Sequence, residues 1–146
     1  MTDFRLKRLL VPVDFSDCST HALRFARDLA APFQAELMLL YVVEPAVYPA
    51  ELGVVVNIEQ DLAERGAQQL RDLAKRELPG KDCKTLVENG IAEGEIARIA
   101  EAEQADMIVI GTHGYGGIKH LLLGSTTERV IRSAPCPVLT VRGGED

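Results

Sequence analysis

Residues 9–16 read Leu-Leu-Val-Pro-Val-Asp-Phe-Ser. An unbroken apolar run closed by an acid is the pattern of a strand buried on both faces, and the serine that follows is a preferred helix N-cap. The stretch therefore predicts an interior strand that turns directly into a helix. Downstream, Ala22, Phe25, Ala26 and Leu29 recur at helical spacing and make one apolar stripe, which Pro32 halts. Glu36 to Val43 (ELMLLYVV) then reads as a second strand.

The alternation continues along the chain. Ile58 to Leu78 is helical, with Leu62, Leu70, Leu73 and Ala74 on an interrupted apolar face that Pro79-Gly80 ends. Thr85 to Val87 is a short strand. Gly94 to Glu103 is a helix carrying Ile96, Ile99 and Ala100 on one face, and Asp106 to Ile110 (DMIVI) is again fully apolar. Ser125 to Arg132 is the last helix, and Pro137 to Val141 (PVLTV) closes the chain as a strand. Between Glu44 and Asn57, Pro45, Pro49 and Gly53 sit among apolar residues, a long loop that is either a lid or a plain connection.

Five strands separated by four helices define the α/β class: a doubly wound parallel sheet with helices on both faces. The 146 residues fit one domain, 1–146. Sheets of this kind bind ligands outside the carboxyl ends of their strands, where strand order reverses. Asp14 and the segment after Ile110 are therefore the places to look.

A net charge of −6 argues against nucleic acid or an anionic membrane as partner, since both repel an acidic surface that lacks a basic patch. Leu9 to Val13 is too short for a signal segment, and no apolar run could span a membrane, so a soluble cytoplasmic protein is expected. Cys18, Cys83 and Cys136 are widely spaced, with neither a disulfide framework nor metal-ligand spacing. Cys18 falls in the first turn of a helix, where an ordinary, partly buried thiol is the plain reading.

The chemistry concentrates in Gly111-Thr112-His113-Gly114-Tyr115-Gly116-Gly117 and the Gly124-Ser125 that follows, a path from a strand into a helix. Gly111 and Gly114 can take positive φ and let backbone approach a ribose or phosphate, and Gly124 does the same at the helix entrance. Ser125-Thr126-Thr127-Glu128 fits a capping box, and a helix N-terminus attracts phosphate oxygens. From the residues alone, a phosphate cradle and a tight structural turn remain alternatives. Lys119 is the cation of the loop, either reaching a phosphate or solvated. The spacings of the P-loop and of the dinucleotide fingerprint are both absent.

The spacing G-x2-G-x9-G-[ST], filled by Gly111, Gly114, Gly124 and Ser125, resembles the ATP-binding signature of universal stress proteins. The opening LLVPVDFSDCS, the second strand LLYVVEP and the ending APCPVLTV extend the resemblance over nearly the whole chain. It implies a Rossmann-like fold of the adenine nucleotide alpha hydrolase type, with ATP, or ADP or AMP, as ligand and Mg²⁺ as a possible companion. On that basis Asp14 and the Val42 backbone hold adenine, and Pro12 counts as a binding residue beside them. The Gly111 region, with Thr112 and His113, approaches the ribose. Gly114, Gly124, Ser125 and Thr126 then stand at the phosphates. The resemblance departs at Ala92, where the family often has proline after the turn at Gly90.

Catalytic constellations are missing. His21, His113 and His120 lack metal-ligand spacing, and a lone strand-end carboxylate such as Asp14 is as readily an adenine or hydroxyl acceptor as a base. Fast phosphoryl transfer needs cations or Mg²⁺ ligands around the γ-phosphate, so slow or absent hydrolysis is expected. The reading is a small regulatory or stress-response module. The alternative is a dimeric interaction protein of the same fold that needs no nucleotide. The apolar last strand, as a free sheet edge, points either to a homodimer or to a loop that covers it, and the resemblance implies dimerisation through this strand.

Overall fold

The computed structural model of the chain describes residues 3–45, 55–114 and 123–143. The described elements run β1 (Arg8–Pro12), α1 (Asp17–Ala30), a short 3-10 turn (Ala31–Phe33), β2 (Glu36–Val43), α2 (Val55–Glu77), β3 (Cys83–Asn89), α3 (Ala92–Ala102), β4 (Met107–Gly111), α4 (Ser125–Ser133) and β5 (Val138–Val141). All strand pairs are parallel, in the order β3-β2-β1-β4-β5. The first strand therefore lies in the middle, and the chain winds outward from it first one way and then the other.

The pleat sorts the side chains into two cores. Leu9 and Val11 of β1 join Leu37 and Leu39 of β2 under Leu23 and Ala26 of α1 and Leu70 and Leu73 of α2. Leu10, Met38, Leu40 and Ile108 face the other way, against Ile96 and Ile99 of α3 and Val130 of α4. Apolar runs in the sequence thus reflect strands covered on both faces.

Pro12 has a role in opening the sheet. The Val13 N–H donates to the Leu40 carbonyl at 2.8 Å, toward β2. Successive amides of a strand point to opposite neighbours, so the amide position of residue 12 faces β4, and proline has no hydrogen to offer there. The β1–β4 register runs Leu9↔Met107 and Leu10↔Ile108, whereas pairing with β2 extends to Pro12↔Leu40. Beyond Leu10 the two strands part, and a crevice opens between their carboxyl ends.

Several boundaries differ from the sequence reading. The buried stripe of α1 is Ser19, Ala22, Leu23, Ala26 and Ala30, which lets the helix lie close to the sheet on small residues and turns Phe25 outward, 46% exposed. β3 is longer than Thr85–Val87 at both ends, because exposed Lys84 and Asn89 on this outer strand break up its apolar pattern. α2 begins at Val55, ahead of Ile58, and Leu62 on it is exposed. Residues 46–54 of the candidate lid lie outside the described residues, as do Tyr115 to Lys119 and His120. No helix among the described residues is long and apolar enough to cross a membrane.

α1 and the end of α2 are clamped by charge. The buried Glu77 carboxylate accepts from Nε and Nη2 of Arg24, both at 2.9 Å, and the Glu77 carbonyl accepts from Arg27 Nη1 at 3.2 Å. The Arg24 hydrogen bonds hold the Glu77 carboxyl below its ordinary range against the opposing effect of burial. A depressed carboxyl pKa contributes stability above its unfolded value that is lost as pH falls through the folded value. Glu77→Gln should therefore lower the thermal midpoint at neutral pH by a few degrees. The gap to wild type should shrink as pH descends through the carboxylate range, as melts at several pH values would show.

Candidate functional site

A cleft of about 540 Å³ occupies the crevice at the carboxyl ends of β1, β2 and β4, with the start of α4 as one wall. This is within the ordinary range for small-molecule sites. Leu40, Ile96 and Ile110 give it an apolar floor. The position is the one where strand order reverses, between β1 and β4.

Hydrogen bonds fix the α4 wall to the end of β4. The Thr112 N–H donates to the Val141 carbonyl at 3.0 Å, and the Gly124 N–H donates to the Thr112 carbonyl at 2.7 Å. The buried Thr127 hydroxyl donates to the Gly111 carbonyl at 2.8 Å. The start of the helix is thereby stitched to the strand that precedes the loop.

The capping box is not formed. The N-cap is Gly124, with φ −70°, and it has no side chain with which to cap the helix. Ser125 is the first helical residue, which puts Glu128 one position too far along to reach back, and the Gly124 N–H is already taken by Thr112. Glu128 instead accepts from Arg132 at 2.8 Å, one turn on. The first-turn N–H groups of Ser125, Thr126 and Thr127 have no intrahelical partner and keep the positive end of the helix dipole directed at the cleft. Pairing Glu128 with Arg132 also offsets the nearest negative charge.

The glycines are there for space rather than for φ. Among the described residues the glycines with positive φ are Gly80 and Gly90, not Gly111, Gly114 or Gly124. A Cβ on Gly114 would overlap the Asp14 carboxylate, and one on Gly124 would come within 3.1 Å of the Thr112 carbonyl oxygen. On Gly111 it would meet Cys18 Sγ at 2.8 Å, so this glycine serves the close approach of α1 to β4.

Asp14 follows β1 and accepts from the Ser16 N–H at 2.9 Å and from the Ser16 hydroxyl, while its other oxygen faces Gly114. Ser16 in turn caps α1 by accepting from the Ser19 N–H. The next residue, Phe15, has φ 66°, a conformation costly for a large side chain. A carboxylate beside Gly114 suits a hydroxyl donor or a bridging cation better than a bare phosphate.

Of the residues singled out from sequence, Pro12, Asp14, Val42, Gly111, His113, Gly114, Gly124, Ser125 and Thr126 line this cleft together. Thr112 does not: it is buried behind the wall, its hydroxyl 3.0 Å from His113 Nδ1. Ser19, Tyr41, Glu44, Ile96, Ile110 and Thr127 also line it and were not foreseen. Tyr41 and Ile110 adjoin residues that were, whereas Ile96 carries no sign in the sequence beyond that of a core residue. No group of three His, Cys, Asp or Glu side chains suited to a metal exists among the described residues. The three thiols are free, and burial pushes Cys83 up to about 11.

The fold finds close counterparts. The model of the Usp, or universal stress protein, family matches residues 5–142, and the chain belongs to this family. Universal stress protein MJ0531 of Methanocaldococcus jannaschii is 39% identical over 140 residues, covering 93% of this chain and 82% of that one. The structure of universal stress protein UspA from Lactobacillus plantarum superposes with a TM-score of 0.77 at 31% identity, covering 96% of this chain and 100% of the other. A universal stress protein crystallised in complex with cAMP has the same fold, with TM-score 0.71 at 24% identity, covering 97% of this chain and 100% of that chain.

The Thr127 hydroxyl has a consequence for stability. Thr127→Val keeps the volume of this buried side chain and deletes its hydrogen bond to Gly111, at a cost of about 1 kcal/mol. In a domain of this size that lowers the thermal midpoint by roughly 2–4 °C, measurable by calorimetry.

Proposed function

We propose that the chain binds ATP, or ADP or AMP, in this cleft as a small cytoplasmic regulatory module of its family. One observation carries the reading: the N-terminus of α4, whose N-cap is a glycine with no side chain to occupy the first-turn amides, opens into a crevice with an apolar floor between β1 and β4. A helix end of this kind offers N–H donors and positive potential to phosphate oxygens, so an acidic protein can bind an anion without a basic patch. In this reading Gly124, Ser125 and Thr126 receive the phosphates. The adenine lies on the apolar floor near Pro12 and Val42. Gly111 and His113 stand beside the ribose, with Thr112 supporting them from behind.

With Asp14 against Gly114, that end of the loop suits a ribose hydroxyl or a Mg²⁺-bridged phosphate oxygen, and the bare phosphates belong nearer α4. When bound, Mg²⁺ would supply charge neutralisation there, with Asp14 as the carboxylate at hand. A universal stress protein of the same fold has been crystallised in complex with cAMP, which supports an adenine nucleotide as the ligand. Hydrolysis is expected to be slow in a module of this kind. The outer edge of β5, unpaired among the described residues, supports a homodimer joined through that strand.

Native mass spectrometry after gentle purification should find adenine nucleotide, and ATP at about a hundred times its Kd should stabilise the chain by about 2.7 kcal/mol. Gly124→Val, which crowds the Thr112 carbonyl at the helix entrance, should abolish the thermal shift. No nucleotide and no shift in the wild type would discard this reading in favour of a nucleotide-independent dimer. Turnover of ATP should stay far below the roughly 1 s⁻¹ at which ordinary enzymes begin.

A further inference from the structure

Glycine is a poor choice inside a helix, because it adds conformational freedom to the unfolded chain without any side-chain packing in return. Gly66 nevertheless sits buried in the middle of α2. Its neighbour explains it: a Cβ there would overlap Cδ1 and Cε1 of Tyr41. Tyr41 belongs to β2, lines the cleft, and packs its ring on Phe15, with centroids 4.9 Å apart at 48°. Phe15 is the residue held at φ 66°, directly after Asp14. A backbone conformation of this cost persists only where packing enforces it, and the Tyr41 ring supplies packing at that position.

A continuous path therefore leads from α2, through the Tyr41 and Phe15 rings, to the backbone that carries Asp14 at the cleft. No described residue of α2 itself lines the cleft. We propose that Tyr41 couples the seating of α2 to occupancy of the cleft, with Gly66 as the positioning residue that sets where the ring stands. Nucleotide held against Asp14 favours the Asp14–Phe15 conformation, which favours the ring position that α2 needs. By reciprocity, a change in α2 alters affinity in the cleft by the same factor. The face of α2 becomes the surface that reports whether nucleotide is bound. The inference rests on the nucleotide reading of the cleft and adds to it a route by which the bound state reaches the exterior.

Amide hydrogen exchange of the wild-type chain with and without saturating ATP gives the first test. Exchange around Gly66 should slow by at least about five-fold, the low end of ordinary coupling between sites. Gly66→Ala should weaken ATP binding by a similar factor, whereas Gly94→Ala in α3, where a Cβ meets nothing within 4 Å, should leave it unchanged. In a Tyr41→Leu background, Gly66→Ala should have no further effect on affinity. Unchanged exchange in α2 with ATP bound would overturn the proposal, and so would additive effects of the two substitutions. The exchange measurement decides the matter even if Gly66→Ala fails to fold. A wild type that binds no ATP removes the nucleotide reading itself, an outcome the mass spectrometry identifies separately.

Discussion

The hydrogen bond from the Gly124 N–H to the Thr112 carbonyl closes the excursion that the chain makes after β4. Its net energy is that of any one such bond, about 1 kcal/mol, yet its geometric effect is large. It makes Gly124 the N-cap of α4, occupies the amide that a capping glutamate would otherwise claim, and leaves the dipole of the helix directed into the crevice. The Thr127 bond to Gly111 and the Thr112 bond to Val141 hold the same junction from two other sides. The proposed binding of an anion at the start of α4 depends on this junction staying closed.

Pro12 supplies the complementary constraint. A residue with an amide hydrogen at that position could continue the ladder toward β4 and narrow the fork. Proline ends the pairing on that side while Val13 continues it on the other, so β1 stays anchored to β2 as it parts from β4. The cleft is thus shaped by one withheld hydrogen bond, at Pro12, and one supplied hydrogen bond, between Gly124 and Thr112.

The strands were legible because burial on both faces writes itself as unbroken aliphatic sequence, as in Leu9 to Val13 and Met107 to Ile110. β3 was harder to see in full, since an outer strand keeps polar residues such as Lys84 among its apolar ones. The glycine spacing was legible in the sequence but its cause was not: the need is room beside Asp14, Thr112 and Cys18, which only the folded arrangement reveals. The absence of a capping box was hidden for the same reason, because it turns on a backbone bond between residues twelve apart in number, Thr112 and Gly124. Phe25 was misplaced because small residues on α1 carried the buried stripe, and a large apolar side chain is not always the one that faces inward.

The central place of β1 also bears on how the chain assembles. Its first half, through β3, builds one side of the sheet, and its second half adds β4 and β5 to the other. The halves join along the short seam Leu9↔Met107 and Leu10↔Ile108, with α1 laid across it onto Gly111. A nascent polypeptide emerging amino end first therefore carries a bare strand edge on β1 until residue 107 has left the ribosome. A fragment cut short after β3 would keep that edge exposed and be prone to stick to its own kind.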